Sequence, residues 1–155
     1  MLSLLEDIDT VGATTHGVSL HLANHQWRDR VPLAWLEVLA RCAVRRLRIR
    51  RRGQLLITFI DGATMRRLNR RFKRHNRLTD VLSFRYDGEP VVGEILIAPA
   101  AARRYATRHS LSYRQELARY VLHGLLHWMG REDRTVRQQH KMRALEDKLL
   151  SQCAT

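Results

Sequence analysis

Apolar and polar positions alternate along four stretches of the chain, a pattern that predicts β-strands. Residues 54–61 (QLLITFID) are the clearest, because apolar and β-branched side chains dominate them. The other three predicted strands are residues 17–23, 79–86 and 91–98, the last interrupted by Gly93.

Between and after these strands, apolar residues recur every three or four positions, which predicts amphipathic helices. The first helix is predicted to begin at Pro32 and to end before Gly53, after an arginine-rich last turn. Four more are predicted from Asp61 to about Phe72, from Pro99 to about His109, from Ser112 to Gly130, and over 135–150. Strands and helices mixed in this order predict an α+β fold, with a small mixed sheet packed with helices.

Length and composition favour one domain over residues 1–155, because there is no internal repeat, low-complexity segment or linker. No apolar run approaches the roughly 20 residues of a membrane span, and the first residues lack the basic start of a signal peptide. Two cysteines, Cys42 and Cys153, are too few for a scaffold of bridges. We therefore expect reduced thiols and a cytoplasmic protein.

The formal net charge is +13, from 28 basic and 15 acidic residues. Such an excess favours an anionic partner, with nucleic acid first. Arginine accounts for 25 of the 28 basic residues, and a GC-rich genome can produce the same bias. Because the charge is spread along the chain, we expect a basic face and not a basic tail.

Candidate chemistry is concentrated in HGLLHWMGRED, residues 123–133. His123 and His127 are four residues apart, so they share one helix face and can converge on one ion. Gly130 can end the helix and turn the chain, which brings Asp133 back as a third ligand. Two histidines and one carboxylate make an open metal site with room for water.

A structural alternative explains the same residues without a metal. The two histidines can be partly buried and bonded to backbone, while Asp133 caps the final helix. Gly124 stands where HExxH zinc proteases carry their glutamate base, which disfavours a protease. Since glycine costs roughly 1 kcal/mol inside a helix, something is expected to pack closely there, either the sheet or a substrate.

The stretch 123–133 resembles the HGxLHxxGxDH signature of the YbeY family of metal-dependent endoribonucleases. Further blocks agree in order and spacing with the family's LNxxYR, TDVLSF, GDIxI and MxxxE motifs. They are residues 68–72, 79–84 and 93–97, followed by Met142 and Glu146. The similarity covers roughly residues 54–150.

The resemblance implies a metzincin-like core whose metal site lies on a helix and the loop after it. It implies one Zn²⁺ ion bound by His123, His127 and Asp133, with His123 also catalytic. It further implies cleavage of single-stranded RNA in 16S ribosomal RNA 3′-end maturation and ribosome quality control. The expected partners are ribosomal RNA or a ribosomal subunit, without a membrane, and we expect a monomer.

Two positions depart from the family pattern. The third ligand is most often histidine there, and Asp133 would make the site less cationic and widen its tolerance toward Mn²⁺. Lys73 stands where the family carries an arginine thought to act in catalysis; it keeps the charge but loses the bidentate fork. Lys73 is our first catalytic cation, and Arg71 or Arg74 can substitute for it.

Two further side chains are candidates on chemical grounds. Ser83 can bond the substrate or simply fill a strand position. Glu94 can orient a ligand imidazole through its free N–H, or it can be an exposed strand residue. Three functions compete at this point: an RNA-cleaving metalloenzyme, a non-catalytic RNA- or ribosome-binding protein with a structural metal, and another zinc hydrolase.

Overall fold

The computed structural model describes residues 9–15, 17–72, 80–88 and 90–154, which form a five-stranded sheet packed with five helices. The strands are β1 (Asp9–Thr15), β2 (Val18–Asn24), β3 (Gly53–Phe59), β4 (Val81–Arg85) and β5 (Val91–Ile97). The helices are α1 (Leu33–Arg46), α2 (Gly62–Phe72), α3 (Pro99–Arg108), α4 (Tyr113–Trp128) and α5 (Val136–Cys153). The predicted α+β class is confirmed. Within the described residues, no helix has the length and apolar character needed to cross a membrane.

The sheet is mixed, with strand order β1-β2-β3-β5-β4. The three central strands β2, β3 and β5 run parallel, and each edge strand is antiparallel to its neighbour. Parallel central strands need helical crossovers between them, and α1 supplies the crossover from β2 to β3.

Helices cover the two faces of the sheet unequally. The main core joins α1, α4 and α5 to one face, which carries Leu20, Ile57 and Ile95 among its buried side chains. On the other face of β5, Leu96 packs with Met65 of α2 in a smaller cluster. The larger core therefore holds α4, the helix of the candidate metal ligands, directly against β5.

All four predicted strands are present, but β1 was not predicted. Its sequence DTVGATT offers Val11 as the one large apolar side chain, so alternation gives little signal. Backbone pairing with β2 holds it instead, from Asp9 opposite Asn24 to Thr15 opposite Val18.

The predicted end of the first helix was wrong. The helix ends at Arg46, and the N–H of Ile49 bonds the carbonyl of Val44 around Arg48, which has a φ of 54°. Glycine usually holds the left-handed position of such a turn. Because Arg48 holds it here, the sequence gives no sign that the helix ends. Gly53 instead begins β3, where an added Cβ would lie 2.5 Å from Cγ1 of Val92.

The expectation of two reduced thiols was also wrong, because Cys42 and Cys153 form a disulfide. Cys42 lies on α1 and Cys153 is the last residue of α5. The two helices pack against each other, which brings together cysteines separated by 111 positions in the sequence.

Candidate metal centre

Helix α4 holds the two histidines one turn apart. It begins after Ser112, whose side chain accepts a hydrogen bond from the Gln115 N–H, as predicted for its cap. The rings of His123 and His127 stand nearly perpendicular, 80° apart, and their Nε2 atoms are 2.9 Å apart. Both imidazoles therefore present a nitrogen to one point.

The chain turns back at Gly130, as predicted. The N–H of Gly130 bonds the carbonyl of His127, and the N–H of Arg131 bonds that of Leu126, which together form a Schellman motif. Gly130 has a φ of 95°, a conformation that a side chain would strain. The returning loop places Oδ2 of Asp133 3.6 Å from Nε2 of His123 and 3.5 Å from Nε2 of His127.

Asp133 does not cap the final helix. That position belongs to Thr135, which forms a capping box with Gln138. The Asp133 backbone carbonyl accepts a hydrogen bond from the side chain of Gln139, which ties the loop to α5. The carboxylate is therefore left facing the two imidazoles.

The three donor atoms fit a small divalent ion. Ligands about 2.0–2.2 Å from a tetrahedral zinc ion lie about 3.3–3.6 Å from one another. The separations here are 2.9, 3.5 and 3.6 Å. His123, His127 and Asp133 thus form a group that could bind a metal.

The protonation state expected of His127 also suits a metal. Burial, and then the neighbouring His123, lower the pKa of His127, although Asp133 and the Arg131 backbone act in the opposite direction. A neutral ring keeps a lone pair free for a cation.

Glu146, not Glu94, orients a ligand imidazole. Oε2 of Glu146 lies 2.7 Å from Nδ1 of His123. A carboxylate only accepts hydrogen bonds, so Nδ1 carries the proton and Nε2 presents its lone pair to the group. Glu94 is buried, but the hydroxyl of Tyr86 donates to it, so the expectation of a ligand-orienting or exposed Glu94 was wrong.

Arg119 fixes Glu146 in turn. Its guanidinium lies 3.3 Å from Oε1 of Glu146 and 2.7 Å from Oδ1 of Asp147. Burial lowers the pKa of Arg119, but these two carboxylates outweigh burial and raise it, so the cation persists. A buried carboxylate with a charged partner on one oxygen keeps the other oxygen for His123.

The close packing of α4 against the sheet explains why residue 124 is a glycine. A Cβ there would lie 2.4 Å from Cγ2 of Ile95, and one at Gly93 would lie 2.2 Å from Nε1 of Trp128. Glycines on both elements let α4 approach β5 closely, and the Trp128 indole then donates to the Val92 carbonyl at 3.0 Å. The close approach expected at Gly124 is confirmed, with the sheet as the neighbour.

The ligand group opens into a cleft of about 1050 Å³. Its walls come from α2, β4, α3, α4, the loop after α4, and α5. Four arginines are among the lining residues: Arg119, Arg131, Arg134 and Arg143. Five carboxylates also line the cleft, from Asp80, Glu116, Glu132, Asp133 and Glu146, so it places charges of both signs around a group that could bind a cation.

The remaining predicted site residues lie in different places. Ser83 lines the cleft, but its hydroxyl donates to the Gly124 carbonyl at 2.9 Å. Arg71 is exposed at the end of α2, with its guanidinium 5.7 Å from the ring of Phe72, a lining residue. Lys73, Arg74 and the predicted loop at 73–77 lie outside the described residues.

Fold and site together define an α+β protein whose cleft, lined by arginines and carboxylates, contains a His-His-carboxylate group that could bind a metal. The sequence profile of the family described as Endoribonuclease YbeY matches residues 21–154. The chain belongs to this family.

Individual relatives agree with that assignment. A protein of Myxococcus xanthus named Endoribonuclease YbeY is 32% identical over 142 residues, which is 87% of this chain and 47% of the relative. One of the same name from Endomicrobium trichonymphae is 33% identical over 122 residues, 79% of this chain and 84% of the relative. The matched region thus spans about half the length of the first relative.

A solved structure shares the fold. The solution structure of a Thermotoga maritima protein superposes with a TM-score of 0.57 at 22% identity, covering 87% of this chain and 90% of that chain. At this identity the likeness concerns the fold alone.

Proposed function

We propose that the chain is a metal-dependent endoribonuclease that cleaves single-stranded RNA. Family membership supports the activity, and one observation carries the proposal: three ligand atoms from His123, His127 and Asp133 converge at the floor of an arginine-lined cleft. We propose zinc as the ion, because two imidazoles and one carboxylate are a common donor set of catalytic zinc.

A bound zinc ion would polarise a phosphoryl oxygen and activate water near neutral pH. The chain's own contribution is to hold the ligands. Glu146 keeps His123 in one tautomer, and Arg119 holds Glu146. We propose His123 both as ligand and as catalytic residue, because it belongs to the group of three donor atoms and lines the cleft.

Positively charged side chains near the metal group would bind the phosphates of the RNA backbone. Arg131, Arg134 and Arg143 line the cleft and suit phosphate contacts. On the strength of the family resemblance, we propose Lys73 as the group that stabilises charge developing in the transition state. Arg71, Arg74 and Ser83 are proposed to bind the substrate beside it.

Proton handling distinguishes this site from that of a zinc protease. Gly124 has no side chain to act as general base, so a 2′-hydroxyl or phosphate oxygen of the RNA is proposed to take part. The products decide between two chemistries. A 2′,3′-cyclic phosphate end would mean attack by the 2′-hydroxyl, whereas its absence from the first product would mean attack by water.

The test compares the native chain with His127→Ala, and with His21→Ala as a control on an exposed position of β2. Metal content and cleavage of a single-stranded RNA are measured for all three. We expect His127→Ala to lose both and His21→Ala to keep both. Metal bound by the native chain with no cleavage above His127→Ala would instead support a non-catalytic RNA-binding protein.

The biological setting is proposed from the resemblance. We propose that residues 1–155 act as one domain and as a monomer in the cytoplasm. The substrate would be ribosomal RNA, free or in a ribosomal subunit, cut during maturation of the 16S 3′ end and in ribosome quality control. Accumulation of unprocessed 16S RNA on loss of the protein would test this role.

A further inference from the structure

Two aromatic rings stand exposed inside the cleft. Phe72 is 37% exposed and Tyr105 39% exposed, and both line the cleft that contains the metal group. Large apolar side chains usually avoid water, so exposed rings in a groove mark a binding surface. Phosphate contacts by arginine do not account for them.

Tyr105 is held in place on α3. Its ring centroid lies 4.2 Å from that of His109, one helical turn later, at an interplanar angle of 36°. One face of Tyr105 is thus supported. Tyr120 lines the same cleft. Tyr120 precedes His123 by three residues on α4, so the aromatic part of the cleft begins about one helical turn from the metal group.

Phe72 occupies the end of α2. Its ring packs edge-on against Phe84 of β4, with centroids 5.3 Å apart. Ser83, beside Phe84, bonds the carbonyl of Gly124, so this ring is linked through β4 to the helix of the ligands. The guanidinium of Arg71 lies 5.7 Å from the Phe72 ring, which places a cation next to the exposed aromatic surface.

We propose that Phe72 and Tyr105 are stacking platforms for unpaired bases of the RNA that occupies the cleft. The inference rests on the proposed function and adds residues that select the substrate. Every base has a face that can stack on an aromatic ring, so such platforms tolerate any sequence. In a duplex both faces of each base are covered by its neighbours, so these rings would favour single strands.

The arginines of the cleft agree with this occupant. Positively charged grooves that combine arginines with exposed aromatics are typical of proteins that bind single-stranded nucleic acid. The lining arginines would follow the phosphates while Phe72 and Tyr105 contact the bases. The two contributions differ in salt dependence, because only phosphate neutralisation releases counterions.

The experiment measures binding in a His127→Ala background, so that the RNA is not cut. Affinities for a short single-stranded RNA and for its perfect duplex are compared at several salt concentrations. Phe72→Leu and Tyr105→Leu keep an apolar side chain but remove the ring. Trp27→Leu is the matched control, because Trp27 is 83% exposed and is not among the cleft-lining residues.

We expect Phe72→Leu and Tyr105→Leu each to weaken single-strand binding about fivefold or more, with the salt slope unchanged. Trp27→Leu should leave affinity unchanged, and the duplex should respond to none of the three. The fluorescence of a base analogue in the single strand should be quenched by the His127→Ala protein, and quenched less when Phe72→Leu or Tyr105→Leu is added. Thermal unfolding of each variant verifies that the fold is intact.

Two other results would overturn the inference, and they are distinguishable. If neither the native chain nor the His127→Ala protein binds RNA, the proposed function fails and the platforms fail with it. If the His127→Ala protein binds RNA but the Phe72 and Tyr105 changes behave like Trp27→Leu, or weaken single strand and duplex equally, the platforms alone are excluded.

Discussion

The carboxylate of Glu146 determines how His123 presents its second ring nitrogen to the cleft. Because Oε2 accepts from Nδ1, the lone pair of Nε2 is fixed in the direction of His127 and Asp133. Partners of this kind typically contribute 10- to 100-fold to metal affinity. We therefore expect Glu146→Gln to weaken metal binding by about 10-fold or more.

Competition with a chelating dye would measure this loss of metal affinity. Glu94→Gln is the matched control, since Glu94 is equally buried but bonds Tyr86. An equal loss of affinity in both variants would mean that general destabilisation, and not the contact with His123, is responsible.

Asp133, the proposed third ligand, is expected to set the metal preference of the site. The carboxylate of Asp133 is a harder ligand than imidazole and lowers the net charge of the loaded site. We expect Asp133→His to raise zinc affinity relative to manganese affinity, measured by titration with both ions. Asp133→Asn, which keeps the shape but loses the charge, should weaken both. An unchanged ratio in Asp133→His would contradict a carboxylate–metal bond.

These residues also show what the sequence can and cannot predict at this scale. Local spacing brought out His123, His127 and Asp133, because a helix turn and a glycine stop act over ten residues. The choice between Glu94 and Glu146 depends on how α5 packs beside α4, a contact between residues 23 positions apart. Spacing along the chain carries no such information, so Glu94 was considered for this role and Glu146 was not.

At the scale of elements, the close packing of α4 on β5 places the whole site. Gly124→Ala would set a Cβ 2.4 Å from Cγ2 of Ile95, a branched and buried side chain that cannot move freely. The gain in helix propensity is about 1 kcal/mol, whereas overpacking a core costs about 1–3 kcal/mol. We expect a net loss of up to about 2 kcal/mol in the free energy of unfolding.

Urea denaturation measures this loss in the free energy of unfolding. Gly88→Ala is the control, because nothing lies within 4 Å of a Cβ built there. Adding Ile95→Ala to Gly124→Ala should cost less than the two single changes together, because the new methyl fills the space left by Ile95. Simple additivity of the two changes would contradict the proposed contact.

At the scale of elements, the sequence predicted the helix ends and strands that have a strong local signal and missed those that do not. Caps at Asp61 and Ser112 marked their helices well, since a side chain bonds the backbone within three residues. The end of α1 has no such mark, because Arg48 takes the left-handed position that glycine usually holds. The edge strand β1 depends on backbone pairing, which any residue but proline can provide.

At the scale of the whole molecule, the disulfide joins the first helix to the end of the last. Cys42 and Cys153 close a loop of 111 residues, and a crosslink of that length is expected to stabilise by about 2–5 kcal/mol. We expect the oxidised protein to lose that amount on reduction, measured by urea denaturation with and without reductant. The double variant Cys42→Ser, Cys153→Ser should not respond to reductant.

This prediction also bears on the proposed cytoplasmic location, where disulfides are uncommon. Two free thiols in native protein purified without reductant would contradict the bond. A disulfide that forms in air but is absent in cell extracts would mean that the protein works with both thiols reduced. In that state α1 and α5 are joined less strongly.

The charge of the whole molecule has two explanations, a basic binding face or a compositional bias toward arginine. A binding face makes a quantitative prediction. If Arg131, Arg134 and Arg143, the cleft arginines not held by Glu146, each neutralise one phosphate, the log–log slope of affinity against salt is about −2 for a single strand. Affinity for single-stranded RNA should then fall about 20-fold between about 50 and 200 mM salt.

The arginines can be tested one at a time. Arg131→Gln in the cleft should reduce the magnitude of the slope by about 0.7, whereas Arg45→Gln in the last turn of α1 should not change it. Equal effects of the two variants would mean that RNA is attracted by overall charge alone. A slope near zero in the unsubstituted protein would mean that the arginines bind no phosphate, and that the positive charge reflects composition and not a partner.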